Sequence, residues 1–297
     1  MERPEGLADL LEQAELGALV ELTPVGARTW RVDATNGPAC LRRHDPASFD
    51  AEVSFLAFAG YAAEAFVPAL LAASPDHGLA LVEWVDGRLI VPEDLDLGEP
   101  LERVLEFLAA LEAHRDSPPA RDLGLAAGAE FSIAGHVQSA ALRVRRVQEL
   151  PEPAASFVAA EVQPRWARIR RRTLEAVDQP VNPADRCISP GDIGLHNAVL
   201  TPDGRVRYLE FDRAGWDDPA RVIDELFTAI VVQVPERFYE EWSKLFLART
   251  PDPAAAYLRA ELLRPIHQIQ WICRMLEEGF ELADVRAALA RFARVLK

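Results

Sequence analysis

The apolar residues of this chain change period near Gly87. Before it they fall in short runs broken by turns; after it they recur at three- and four-residue spacings. Side chains alternate faces along a strand and return to one face every 3.6 residues along a helix, so the two halves need different elements. Leu19–Thr23 and Thr29–Ala34 read as strands. Asn36-Gly37 is a strong hairpin turn, with Pro38 to Arg43 as the returning strand. Ser48 to Gly60 is the one helix expected in this half, with Phe49, Val53, Leu56 and Ala57 on one face, and Leu79 to Val85 is a further strand. Pro92 to Pro100 is an acidic connector. Leu101, Val104, Leu105, Leu108 and Leu111 then mark an amphipathic helix. Val137 to Leu150 and Val162 to Val177 read as helices, and the pattern from Pro219 onward is nearly all helical. The expected class is α+β, with residues 1–90 a small β-rich part and residues 91–297 a larger helical part.

Composition narrows the function. The chain of 297 residues is 49% hydrophobic and 27% charged, enough to bury a core. Its net charge of -15 argues against a nucleic-acid partner, which rewards basic surfaces. The one basic run, Arg165, Arg168, Arg170, Arg171 and Arg172, reads as a solvated helix face. Cys40, Cys187 and Cys273 lie far apart and form no CxxC pair, so neither a disulfide framework nor a zinc site is indicated. The acidic start lacks the pattern of a signal peptide, and the apolar run around Leu226 to Val232 is too short to span a bilayer. The expected location is cytoplasmic.

The densest chemistry lies between Ser189 and Asp224. Ser189-Pro190-Gly191-Asp192 leads to Asn197, then to the turn Thr201-Pro202-Asp203-Gly204, then to Tyr208-Leu209-Glu210-Phe211-Asp212. Phosphoryl transfer needs these parts. A transferred phosphoryl group is strongly negative, so catalysis is mostly positioning and charge neutralisation. One aspartate must accept the proton of an acceptor hydroxyl. An asparagine and a second carboxylate, brought alongside by a hairpin, must offer oxygens to magnesium. The spacing Asp192-x-x-x-x-Asn197 fits such a catalytic loop.

Taken together with Gly215-Trp216-Asp217-Asp218-Pro219 and Asp224, this segment resembles the aminoglycoside-phosphotransferase and choline-kinase-like family. The resemblance implies a two-lobed, protein-kinase-like fold that binds ATP and Mg2+ and phosphorylates a hydroxyl of a small molecule. It implies Asp192 as catalytic base, Asn197 and Glu210 as metal ligands, and Asp212 as an accessory carboxylate. Asp217, Asp218 and Asp224 would be structural or acceptor-facing. In the first half, Arg42 aligns with the phosphate-binding lysine and Glu52 with its helix partner. Glu83, Trp84 and Val85 resemble the hinge whose backbone meets adenine. Trp216, Tyr239, Trp242 and Trp271 read as core aromatics that an acceptor site would alternatively use.

Three positions depart from the family pattern. Pro190 replaces the histidine before Gly-Asp, Arg42 replaces the lysine, and Glu210 replaces the metal-binding aspartate. No lysine precedes Lys244, so none from the first half stands in for Arg42. Arginine is forked and planar where lysine is a point charge. These changes keep open an alternative class, a silent nucleotide-binding module of the same fold.

Overall fold

The computed structural model describes residues 3–96, 98–176 and 180–296. By contacts the chain divides into two units. One is Met1–Gly128 with Ile188–Trp216, and the other is Ala129–Cys187 with Asp217–Lys297.

The first unit is built on a five-stranded antiparallel sheet in the order β1-β2-β3-β5-β4. Its strands are β1 (Leu19–Gly26), β2 (Thr29–Ala34), β3 (Gly37–Arg43), β4 (Leu70–Ser74) and β5 (Leu79–Glu83). A short helix, α1 (Leu7–Gln13), lays Leu7, Leu10 and Leu11 on one face of this sheet, against Val32, Ala39, Leu41, Leu79 and Leu81. Because faces alternate along a strand, Ala39 and Leu41 facing α1 turn Cys40 and Arg42 to the other side. The helix α2 (Pro46–Ala62) starts at Asp45, whose carboxylate accepts from Ser48 N at 3.1 Å, with Pro46 preset for the first turn.

After β5 the chain runs through residues 84–87 into β6 (Arg88–Leu89), α3 (Glu99–Ala113) and α4 (Pro118–Arg121). The strand β7 (Cys187–Ser189) begins the catalytic segment. It continues through β8 (Ala198–Leu200), β9 (Val206–Tyr208) and β10 (Gly215–Asp217). The order β6-β8-β9 forms a second sheet, and β7 pairs with β10. Gly87 lies so close to β8 that a Cβ there would meet Val199 Cγ1 at 2.3 Å and Leu200 O at 2.6 Å. Only a residue without a side chain lets the linker run along the catalytic hairpin.

The second unit is helical: α5 (Ile133–Gln148), α6 (Ala154–Phe157), α7 (Gln163–Leu174), α8 (Pro219–Thr228), α9 (Tyr239–Leu247), α10 (Pro253–Glu277) and α11 (Leu282–Phe292). A buried polar chain runs through its core. Asp218 caps α8, accepting from Ala220 N at 2.9 Å, and also binds Arg259 at 2.7 Å and His136 at 3.1 Å. His136 meets His267 at 3.1 Å, and His267 meets Asp224 at 2.6 Å. Burial pushes the pKa of Asp218 up, but His136 and Arg259 override it and bring the carboxyl down to about 2. Burial drives His267 to about 4, so it sits neutral at ordinary pH. Asp217 is paired with Arg221 at 2.6 Å. All three aspartates are therefore buried and tied to helix starts or partners. Tyr239 and Trp242 are core residues, each 3% exposed.

Two elements of the first unit's main sheet layer, α1 and β4, were absent from the sequence reading. The helix α1 spans only seven residues, so Leu7, Leu10 and Leu11 mark its face for barely two turns. The strand β4 is Leu-Leu-Ala-Ala-Ser, a composition with no strand preference. The strand expected to reach Val85 stops at Glu83, for a physical reason. Glu83 pairs with Ala39, and the next residue along β3 is Pro38, which has no N–H for the ladder. The basic helix ends at Leu174; its expected end at Val177 lies outside the described residues. Among the described residues, no helix is long and apolar enough to cross a membrane.

Candidate active site

Every residue singled out for phosphoryl chemistry belongs to the first unit. Arg42 on β3 and Glu52 on α2 form an ion pair, with their side chains 8% and 1% exposed. Glu52 also holds His44 Nε2 at 3.0 Å. Burial pushes the Glu52 carboxyl up, but the Arg42 charge and His44 outweigh it and hold it below its ordinary value. The carboxylate therefore stays ionised between Arg42 and His44.

The catalytic loop is shaped by its glycines. Gly191 adopts φ +90, and a Cβ there would stand 2.8 Å from the carbonyl carbon of Arg213. The loop thus lies directly on the backbone that follows Asp212. Gly191→Ala is expected to cost at least about 1–2 kcal/mol from the left-handed backbone alone, with the clash in addition. Urea denaturation of the variant against the parent chain measures this. An unchanged midpoint would show that the loop adapts freely.

Asp192 accepts from Gly194 N at 3.1 Å, and its second carboxylate oxygen is 3.8 Å from His196. Asn197 Nδ2 donates to the Asp192 carbonyl at 3.2 Å, which commits the amide nitrogen and presents its oxygen as an acceptor. Leu209 N donates to Asn197 O at 2.9 Å, so the loop and the strand exit are joined immediately before Glu210. The Thr201–Arg205 turn closes the β8–β9 hairpin with Gly204 at φ +80. Phe211, between the two acids, is 1% exposed and stacks on Phe55 of α2 with centroids 4.8 Å apart. One aromatic contact thereby ties the acidic segment to the helix that carries Glu52.

Arg42, His44, Glu52, Glu210 and Asp212 line one cavity of about 160 Å3, together with Arg28, Thr29, Arg43, Asp45 and Ser48. Glu210 keeps an exposed face, and Asp212 is half-buried. Loss of water raises the Glu210 carboxyl; Arg42 pulls it down, and Asp212, Glu52 and Asp192 push it back up. Burial likewise raises Asp212, with Glu52 and Asp192 adding to it against His44 and Arg213. Glu52 and Asp192 thus push up both Glu210 and Asp212, against Arg42 at the first and His44 and Arg213 at the second. Such a pocket favours an added cation, and its arginines favour phosphate oxygens.

At the strand end, Glu83 has its amide and its carboxylate committed. Its amide donates to Ala69 O at 2.8 Å, and its carboxylate takes two bonds from Arg207, at 2.7 and 2.8 Å. Trp84 donates to Asp86 at 2.9 Å and lies under Arg31, with 4.8 Å from guanidinium carbon to ring centre. Val85 lies beyond the strand pairing.

Residues 22–258 match the profile of the phosphotransferase enzyme family, APH. The chain belongs to that family. Comparison with curated protein sequences gives no match. Among solved structures, the choline kinase LicA from Streptococcus pneumoniae superposes with a TM-score of 0.63 at 13% identity, covering 98% of each chain. A choline/ethanolamine kinase family protein from Mesorhizobium loti gives 0.58 at 20% identity, covering 98% of this chain and 92% of the other. The aminoglycoside phosphotransferase APH(2")-IIa, solved as a streptomycin–ATP ternary complex, gives 0.58 at 14%, covering 99% and 97%. The family and the kinase-like α+β fold expected from the sequence are thereby shown.

Two side chains of this phosphotransferase-family site escaped the sequence reading. His44 faces Glu52 from the residue after β3, and Arg207 locks Glu83 from β9. Neither sits in a motif. Only the parity of β9, where Arg207 points opposite to Val206 and Tyr208, offered a signal.

Proposed function

We propose that the chain is an ATP-dependent phosphotransferase acting on a hydroxyl of a small molecule. What supports this most is the single cavity in which Glu210 and Asp212 face the Arg42–Glu52 pair while Asp192 acts electrostatically on both acids. Asp192 is the base. As the acceptor oxygen attacks the γ-phosphorus, the bond from that phosphorus to the ADP oxygen breaks, and the hydroxyl proton passes to the Asp192 carboxylate. Arg42, held by Glu52, steadies the phosphates. Trp84 and Val85 are assigned to the nucleobase by position.

Magnesium fits the donor set. Two carboxylates in one cavity, the Glu210 carboxyl pushed up in part by Asp212, and an amide whose nitrogen is already committed are oxygen ligands suited to a cation. Glu210, Asp212 and Asn197 would hold it. Bound magnesium would offset the charge of the phosphates. The acceptor belongs to the class of the relatives' substrates, choline-like amines or aminoglycosides and other small hydroxyl compounds.

A second reading, a silent nucleotide-binding module, is favoured by one observation: Arg42 is already spent on Glu52, and its fork does not replace a lysine freely. Both readings require nucleotide binding. At about a hundred times its dissociation constant, MgATP should stabilise the chain by roughly 2.7 kcal/mol, seen as a rise in Tm. An absent shift at millimolar MgATP, with calorimetry also blank, would remove both. Glu210→Asp then tests which carboxylate holds the metal. It should change magnesium-dependent ATP affinity several-fold if Glu210 ligates, because a displaced ligand of about 1 Å is felt strongly. An unchanged affinity would move the metal role to Asp212. A screen of small hydroxyl compounds for ATP consumption identifies the acceptor.

A further inference from the structure

The second unit contains a cavity of about 450 Å3 that plays no part in the chemistry described above. Five arginines line it, Arg168, Arg172, Arg237, Arg264 and Arg294, with three glutamates, Glu236, Glu240 and Glu261. In a chain of net charge -15, this is a local surplus of positive charge. Two of the three acids are already paired. Arg264 takes Glu236 at 2.5 Å, and Lys244 takes Glu240 at 2.5 Å. Among the described residues, Arg172, Arg237 and Arg294 have no carboxylate within ion-pair distance. Glu261 is the one acid of the lining outside such a pair.

The floor is built rather than merely charged. Arg264 is 6% exposed and lies over the Tyr239 ring, 3.4 Å from guanidinium carbon to ring centre. Its Nε is buried with no hydrogen-bond partner, though the same guanidinium is fixed in place by Glu236. A buried donor left unpaired costs free energy that a bound acceptor would recover. Arg168 donates to the Leu296 carbonyl at 3.1 Å, which holds α7 and the chain end together along the wall. Arg168 and Arg172 belong to the basic run that the sequence presented as a solvated face. Their i, i+4 spacing on α7 places them on one side of the helix.

We infer that this cavity binds the phosphoryl group of a small anionic ligand. The arginines come from four separate places: α7, the turn before α9, α10, and the segment after α11. Donors on several sides suit a tetrahedral group with oxygens in every direction better than a planar carboxylate. Tyr239, Tyr257, Ile169, Leu262, Pro265 and Val295 give the remaining wall an apolar character, suited to the body of a phosphate ester. The site does not depend on the phosphotransferase reading, since no residue of the first unit takes part.

The test is calorimetric titration of the full chain, at fixed ionic strength, with phenyl phosphate, inorganic phosphate and benzoate. Phenyl phosphate is expected to bind, with benzoate at least about tenfold weaker. The double variant Arg172→Gln/Arg294→Gln should lose about tenfold or more in affinity, as expected when charged hydrogen bonds are removed. Both are exposed side chains, so the fold should survive. Arg28→Gln, on the exposed rim of the first-unit cavity, should leave binding unchanged. Phenyl phosphate binding more tightly than inorganic phosphate supports the site and assigns an ester. Equal binding supports it and assigns the free ion. Benzoate binding as well as phenyl phosphate, full affinity in the double variant, loss of binding in Arg28→Gln, or no binding at all would each overturn the inference.

Discussion

Replacing Asp192 by Asn should abolish phosphoryl transfer while leaving MgATP bound. A positioned general base contributes about 10²–10⁴-fold to rate, so turnover should fall by roughly that factor. Asn keeps the size and one acceptor oxygen, which preserves the bond from Gly194 N and the loop it organises. The nucleotide contacts assigned to Arg42, Asn197 and Glu210 are untouched, so the MgATP dissociation constant should stay within about threefold. The loss then sits in the chemical step and not in ground-state binding. Turnover kinetics and calorimetry on the same preparation separate the two quantities. Equal turnover in parent and variant would strip Asp192 of its role and favour the silent module. A parallel collapse of nucleotide affinity would instead mean that the loop had lost its shape.

The second large effect is on stability. Arg42→Ala should destabilise the chain by about 3–5 kcal/mol, the usual consequence of leaving one partner of a buried pair alone. Glu52 is 1% exposed and would keep only His44 at 3.0 Å. Arg42→Ala/Glu52→Gln should recover part of the loss, because it removes the stranded charge. Urea midpoints for the parent, both single variants and the double variant give the coupling. Additive losses would show that the pair is not a unit. The pH dependence follows from the direction of the Glu52 shift. Its folded value lies below the ordinary 4.5, so the unfolded chain takes up a proton there first. The pair's contribution is therefore complete above about that pH and is lost as pH falls through the folded value. In Arg42→Ala this acid-side slope should be shallower.

The motif residues were readable because phosphoryl transfer demands particular side chains in chain order, and Asp192, Asn197, Glu210 and Asp212 sit in one contiguous stretch. The Arg42 and Glu52 positions were readable for a different reason. The family resemblance aligned Arg42 with the phosphate-binding lysine and Glu52 with its helix partner, and helix α2 follows β3 at once, so the two have few other places to meet. His44, Arg207 and the His136–His267 contact were not readable. Each depends on side chains brought together across sheets or helices that no local spacing records. The strand end at Glu83 was misjudged by two residues because the stop lies in its neighbour, at Pro38, and not in its own sequence. The basic run on α7 was judged from its residues alone. Its meaning changes only when Arg237, Arg264 and Arg294 from distant segments share a cavity with it.

The contact division also bears on how such proteins diversify. Every residue lining the Arg42–Asp212 cavity is encoded in two stretches, before Gly128 and between Ile188 and Trp216. The helices between and after those stretches carry none of that lining. Natural drift or laboratory recombination confined to the exposed faces of those helical segments therefore leaves every residue of that lining letter for letter the same.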